Sequence, residues 1–142
     1  MGNILALKEY SKVNLQSEVE SASPHRLILM LIDGALSRLL QAKGHIRSNA
    51  ISQKGEDISI AISIIGGLRD SLDHEKGDSI ATNLDNLYEY MTRRLLEANI
   101  KNDVARLDEV HGLLLEIKTA WVGITEKPDT QAKSQNRIEP AA

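Results

Sequence analysis

The chain contains no cysteine and no phenylalanine, three prolines in 142 residues, and only 3% aromatics. Without cysteine there can be no disulfide, no thiolate metal ligand and no cysteine nucleophile, a pattern that fits a reducing compartment. No apolar run approaches the ~20 residues of a membrane-spanning helix. Met1–Tyr10 lacks the basic region, long apolar core and cleavage site of a secretory signal, so the expected location is the cytoplasm. A net charge of −3 has the wrong sign for a surface that neutralises phosphates, which excludes nucleic acid as the main ligand.

Chemical motifs are equally scarce. There is no glycine-rich phosphate loop, no G-x-S-x-G and no H-E-x-x-H. His111, on a helical stretch, invites comparison with phosphotransfer bundles, but the usual basic residue does not follow it. Asp108 and His111 stand three residues apart, a spacing compatible with a metal. A di-metal bundle needs a second Glu-x-x-His pair and further inward carboxylates, and none matches. No nucleophile, base and orienting group assemble, so neither an enzyme nor a bound cofactor is expected.

What is present is helix. Apolar residues make up 42%, drawn chiefly from Leu, Ile and Ala, a set suited to helix packing. Ser23-Pro24 reads as an N-cap followed by the first helical position. Ile28, Leu31, Ile32, Ala35, Leu39, Ala42 and Ile46 then recur every three or four residues, up to a stop at Ser48-Asn49. A second helix runs from about Ser52 to Leu72 on Ile58, Ala61, Ile62, Ile65 and Leu68. His74–Gly77 reads as the following turn. A third starts near Asp78 or Ser79, carries Ile80, Leu84, Leu87, Tyr88, Met91, Leu95 and Ala98 on one face, and breaks at Asn99–Asp103. A fourth carries Leu107, Val110, Leu114, Ile117, Trp121 and Ile124 and ends around Gly123–Thr125. Helices of similar length, about 33 Å each, joined by short links predict an all-α, antiparallel four-helix bundle over residues 23–125. Residues 1–22, with scattered Ile4, Leu5, Leu7, Tyr10, Val13 and Leu15, read as a partly ordered N-terminal arm. Residues 126–142, polar and containing Pro128 and Pro140, read as a disordered tail.

Two helices carry more apolar residues than one core stripe needs. On a wheel with Ile28 at zero, Leu29, Leu36 and Leu40 lie at about 80–120°. On the second helix, Ile60 and Ile64 fall off the Ile58/Ile65 line, with Gly67 and Ser71 continuing their row. Such a surplus packs under the arm, against a second copy, or around a partner's amphipathic segment.

Three strings carry a family likeness. The first is Ser23-Pro24-His25-Arg26-Leu27-Ile28-Leu29-Met30-Leu31-Ile32-Asp33-Gly34-Ala35. The second runs from Gly77 through Ile80-Ala81, Asn83-Leu84 and Leu87-Tyr88 to Tyr90-Met91. The third runs from Ala98-Asn99 through Leu107, Glu109-Val110 and Leu113-Leu114 to Ala120-Trp121. In series they resemble the FliS family of flagellin export chaperones. Ile32 stands where the family usually has an aromatic, and Lys76 where a second glycine is common.

The resemblance implies a cytoplasmic protein that binds the disordered C-terminal segment of flagellin, prevents its premature polymerisation and presents it to the flagellar export gate. It also implies an N-terminal arm, with Tyr10 at the family's tyrosine, over part of the site. Wheel position and the arm's resemblance together nominate Leu29, Leu36, Leu40, Ile60 and Ile64 as contacts, with Leu7 and Tyr10 on the arm. Leu84, Met91, Leu114 and Trp121 are expected to serve packing alone. The competing reading is a bundle that uses the same surface to self-associate.

Overall fold

A computed structural model describes residues 22–124. It comprises α1 (Pro24–Arg47), α2 (Ile51–Asp70), α3 (His74–Lys101) and α4 (Val104–Gly123). Links of two or three residues turn each helix back along its predecessor. The packing closes in a ring: α1 on α2, α2 on α3, α3 on α4, and α4 on α1. The described residues thus form the expected all-α bundle. The tail at 126–142 and the arm up to residue 21, Leu7 and Tyr10 included, lie outside the described residues.

Local chemistry sets the ends. Ser23 Oγ accepts from the Arg26 amide at 3.1 Å, and Pro24 opens α1. Asn49 and Asn102 turn the chain at positive φ, 60° and 50°, which asparagine tolerates better than most residues. The Asp103 amide then bonds back to Ala98 O and closes α3. One boundary differs from the sequence reading. His74–Lys76 are the first turn of α3, not a loop, because Asp73 Oδ1 accepts from the amides of Glu75 and Lys76. α3 is therefore 28 residues long against 20 for α2 and α4.

The core gathers the expected stripes: Ile32, Ala35 and Leu39 from α1, Ile58, Ala61 and Ile65 from α2, Met91 and Leu95 from α3, and Val110 and Leu114 from α4 are all buried. Each large side chain removed from water contributes about 1.5–3 kcal/mol before entropy is charged against it. Ile32, at the family's aromatic position, is one of these core residues.

Every seam of the ring also has a polar peg. Between α1 and α2, Asp57, only 3% exposed, accepts from Arg38 Nη1 at 2.9 Å and His45 Nδ1 at 2.6 Å. Between α2 and α3, the buried Lys54 ammonium donates to Asn99 O and Oδ1 at 2.7 Å each, and Arg69 grips Asp85 with two nitrogens. Between α3 and α4, Tyr90 and Arg94 donate to the two oxygens of Glu109, and Arg106 donates to Glu97. Between α4 and α1, Lys43 pairs with Asp108 at 2.8 Å and Lys118 with Asp33 at 2.7 Å.

Two outcomes follow from these pegs. Asp57→Ala should lower stability by about 2 kcal/mol, because the Arg38 and His45 donors lose a buried acceptor. A reduced urea midpoint at unchanged slope is the check, and an unmoved midpoint would remove the peg from the list of stabilising contacts. Acid should also destabilise the bundle. Hydrogen bonds from Tyr90 and Arg94 hold the Glu109 carboxyl below its ordinary 4.5, Arg106 does the same for Glu97, and Arg69 lowers Asp85 from 3.8. Depressed native values mean that the unfolded chain binds protons first. This contribution is complete above the ordinary carboxylate range and is lost as pH falls through and below it. Melting temperature followed from pH 7 downward should stay level on this account until about pH 5, then drop.

Candidate functional site

The four core stripes do not fill the bundle evenly. On α3 the same face runs from Ala98, Leu95 and Met91, all buried, through half-buried Leu87 and Leu84, to Ile80, which is 69% exposed. On α4 it runs from Val110 and Leu114, buried, through half-buried Ile117 and Trp121, to Ile124 at 48%. Ile28 and Leu27 of α1 are likewise only half covered. The helices therefore leave an apolar pocket of 730 Å³ at the end where α1 and α3 begin and α2 and α4 finish. Leu68 and Tyr88 line its inner part, and Asp73 and Lys76 are the charged residues on its wall. Burial pushes the Tyr88 phenol up to about 12, so it remains a neutral hydroxyl at physiological pH. A concave, largely apolar cavity with few polar groups is the usual form of a binding site.

Its α1–α4 wall is fastened by a reciprocal contact. His25 Nε2 donates to Trp121 O at 2.9 Å, and Trp121 Nε1 donates to His25 O at 2.9 Å. The two rings stack, with centroids 5.0 Å apart and planes within 14°. A carbonyl oxygen only accepts, so Nε2 carries the proton. Nδ1 is left buried with no partner among the described residues. Trp121 was expected to serve packing alone; it is instead a pocket wall tied by two hydrogen bonds, as Leu84 is also a pocket wall. Nothing in the local sequence pairs residues 96 positions apart.

The nominated contact residues separate into two groups. Lys43–Asp108 and Asp33–Lys118 fix how α1 runs against α4. Stepping seven residues along each helix from Lys43 and Asp108 sets Leu36 beside Leu115, and seven more sets Leu29 beside Val122. Leu40, 55% exposed, lies on this edge with the exposed Leu115 and Val122. Leu36, at 8%, is a core residue under it, and Leu29 is half-buried. Ile60 and Ile64 do not join them. They follow Asp57 by three and seven residues on α2, the stripe whose carboxylate pairs with Arg38 and His45 on the opposite side of α1. Ile64 is 1% exposed and belongs to the core, and Ile60 packs half-buried against it. The five nominated residues therefore do not share one surface: α1 stands between the two sets. Ile80 and Ile124, the exposed large hydrophobic residues of the pocket, are absent from the nominated contacts because each sits on a regular core stripe. Among the described residues, no helix faces them at that end.

Comparison with known proteins bears on what such a bundle does. The family model described as flagellar protein FliS matches residues 6–128. Flagellar secretion chaperone FliSB of Pseudomonas aeruginosa is 52% identical over 120 residues, covering 84% of this chain and 95% of that protein. Flagellar secretion chaperone FliS of Salmonella typhimurium is 50% identical over 126 residues, covering 88% and 93%. That of Bacillus subtilis is 35% identical over 106 residues, covering 75% and 78%. Among the described residues no helix is long and apolar enough to cross a membrane. With the family model spanning most of the sequence and the four-helix bundle lying within the matched region, this chain belongs to the FliS family of flagellar secretion chaperones.

Proposed function

We propose that the chain is a cytoplasmic, non-enzymatic export chaperone that holds the C-terminal segment of flagellin, keeps it from polymerising and presents it to the flagellar export gate. Family membership supports the export role. The observation that carries the binding mode is the 730 Å³ apolar pocket formed by the described residues, with Ile80 and Ile124 at its mouth. A segment that orders on binding gives up about 2–5 kcal/mol of its gross interaction energy, so it needs extensive apolar contact in return. The pocket supplies one part, and the Leu29, Leu40, Leu115 and Val122 edge supplies a second. Leu36 lies beneath that edge, whereas Ile64 is core with Ile60 packed against it. Leu7 and Tyr10 remain assigned to an arm over the site, on the family resemblance alone. A second reading, self-association, draws on Ile51, Leu96 and Ile100, which are exposed near the opposite end of the bundle.

Calorimetric titration with a flagellin C-terminal peptide tests this. The wild-type chain should bind one peptide with a negative heat-capacity change. Ile80→Asp combined with Ile124→Asp, both at exposed positions and therefore compatible with folding, should weaken binding at least tenfold, or about 1.4 kcal/mol. Leu40→Asp should weaken it less. Absence of binding by wild type would end the flagellin assignment. Full affinity in the double variant would move the site away from the pocket. A concentration-dependent dimer lost on Ile100→Asp would favour the second reading.

A further inference from the structure

We infer that His25 is a positioning residue that holds Trp121 as the fixed wall of the apolar pocket, so that occupancy of the pocket depends on the reciprocal clasp between them. The inference rests on the pocket being the binding site, as proposed above.

Trp121 needs an external hold because of where it lies. It is two residues from the end of α4, in the last turn, where its carbonyl takes the Ile124 cap amide at 3.1 Å and its side chain has no intrahelical hold. Helix ends fray, and a large ring on a frayed turn is free to rotate toward the pocket beside it. His25 sits at the opposite extremity, in the first turn of α1. Each ring donates to the other residue's backbone carbonyl, so the clasp fixes both side chains and both helix ends together. Stacking sets the remaining freedom, the tilt of the indole.

The contact is specific in a way that ordinary packing is not. An apolar side chain at position 25 would fill similar space and strand neither ring nitrogen. Histidine instead keeps Nδ1 buried and without a partner among the described residues, an arrangement that costs stability. What that cost supports is the Nε2 bond to Trp121 O. The clasp closes the α1–α4 side of the pocket, leaving entry over the first turns of α3 past Lys76 and Ile80.

Trp121 is the only tryptophan in the chain, so its near-ultraviolet dichroism and its energy transfer to a bound naphthalene sulfonate dye, 8-anilino-1-naphthalenesulfonate, report on this wall alone. The full-length wild type, His25→Ala and His25→Gln should be compared, since the glutamine amide can replace Nε2–H as donor. His25→Ala should melt within about 8 °C of wild type. It should lose the fixed dichroism of Trp121 and bind the dye at least tenfold more weakly by transfer from Trp121. His25→Gln should restore both signals. A folded His25→Ala protein with wild-type dichroism and dye affinity overturns the inference. So does a folded His25→Gln protein that restores neither. The dye makes the outcome independent of flagellin: if the peptide fails to bind wild type while the dye results hold, the partner assignment falls and the clasp stands.

Discussion

Four apolar stripes share one interior, and at one end of the bundle three of them extend past the depth to which the helices can fill it. Around Leu39, Ile58, Leu95 and Leu114 the stripes face one another and exclude water. Towards Ile28, Ile80 and Ile124 they diverge, and the same kind of residue that stabilises the fold at one level becomes surface at the next. The unequal length of α3 contributes, since Asp73 starts that helix early and carries its first turns along the pocket. Fold and candidate site are thus two portions of one packing arrangement, with no separate binding module.

Polar groups in this bundle act mainly as register pins. Asp57, Lys54, Asp85 and Glu109 each join two neighbouring helices, and the pairs on α1 and α4 fix which turn of one lies against which turn of the other. Apolar contacts alone tolerate sliding, because Leu and Ile repeat along every helix and a one-turn shift replaces one with another. Ion pairs and directional hydrogen bonds do not repeat in that way. The pin between His25 and Trp121 differs in position. It lies at the open end, where a slip would alter the shape of the pocket more than the core.

The chaperone reading fits this division of labour. A protein that receives a segment folding as it binds needs a rigid frame and an accessible apolar cavity at the same time. Here the deep core and its pins provide rigidity, and the flared end provides the cavity. Tyr88 links the two, buried among core residues yet lining the pocket.

Periodicity, caps and breakers in the sequence by themselves determined the number of helices, most of their boundaries and the bundle class, because a 3.6-residue repeat and a Ser-Pro cap act locally. The three strings shared with the FliS family pointed to the relatives found. The start of α3 was misplaced by several residues because the Asp73 cap competes with turn-like neighbours, Gly77 among them, and the side-chain acceptor prevails. Only the tertiary structure decided which apolar residues are surface. Wheel angle told Ile64 and Leu40 apart from their own core stripes, but both looked like surplus. Their fates, 1% and 55% exposed, depend on which helix stands opposite. Likewise Ile80 is a core residue by spacing and a pocket residue because no helix faces it among the described residues, and His25 meets Trp121 only once the ring of helices closes. Exposure belongs to pairs of elements, and a single strand of sequence carries the period of each helix without naming its partner.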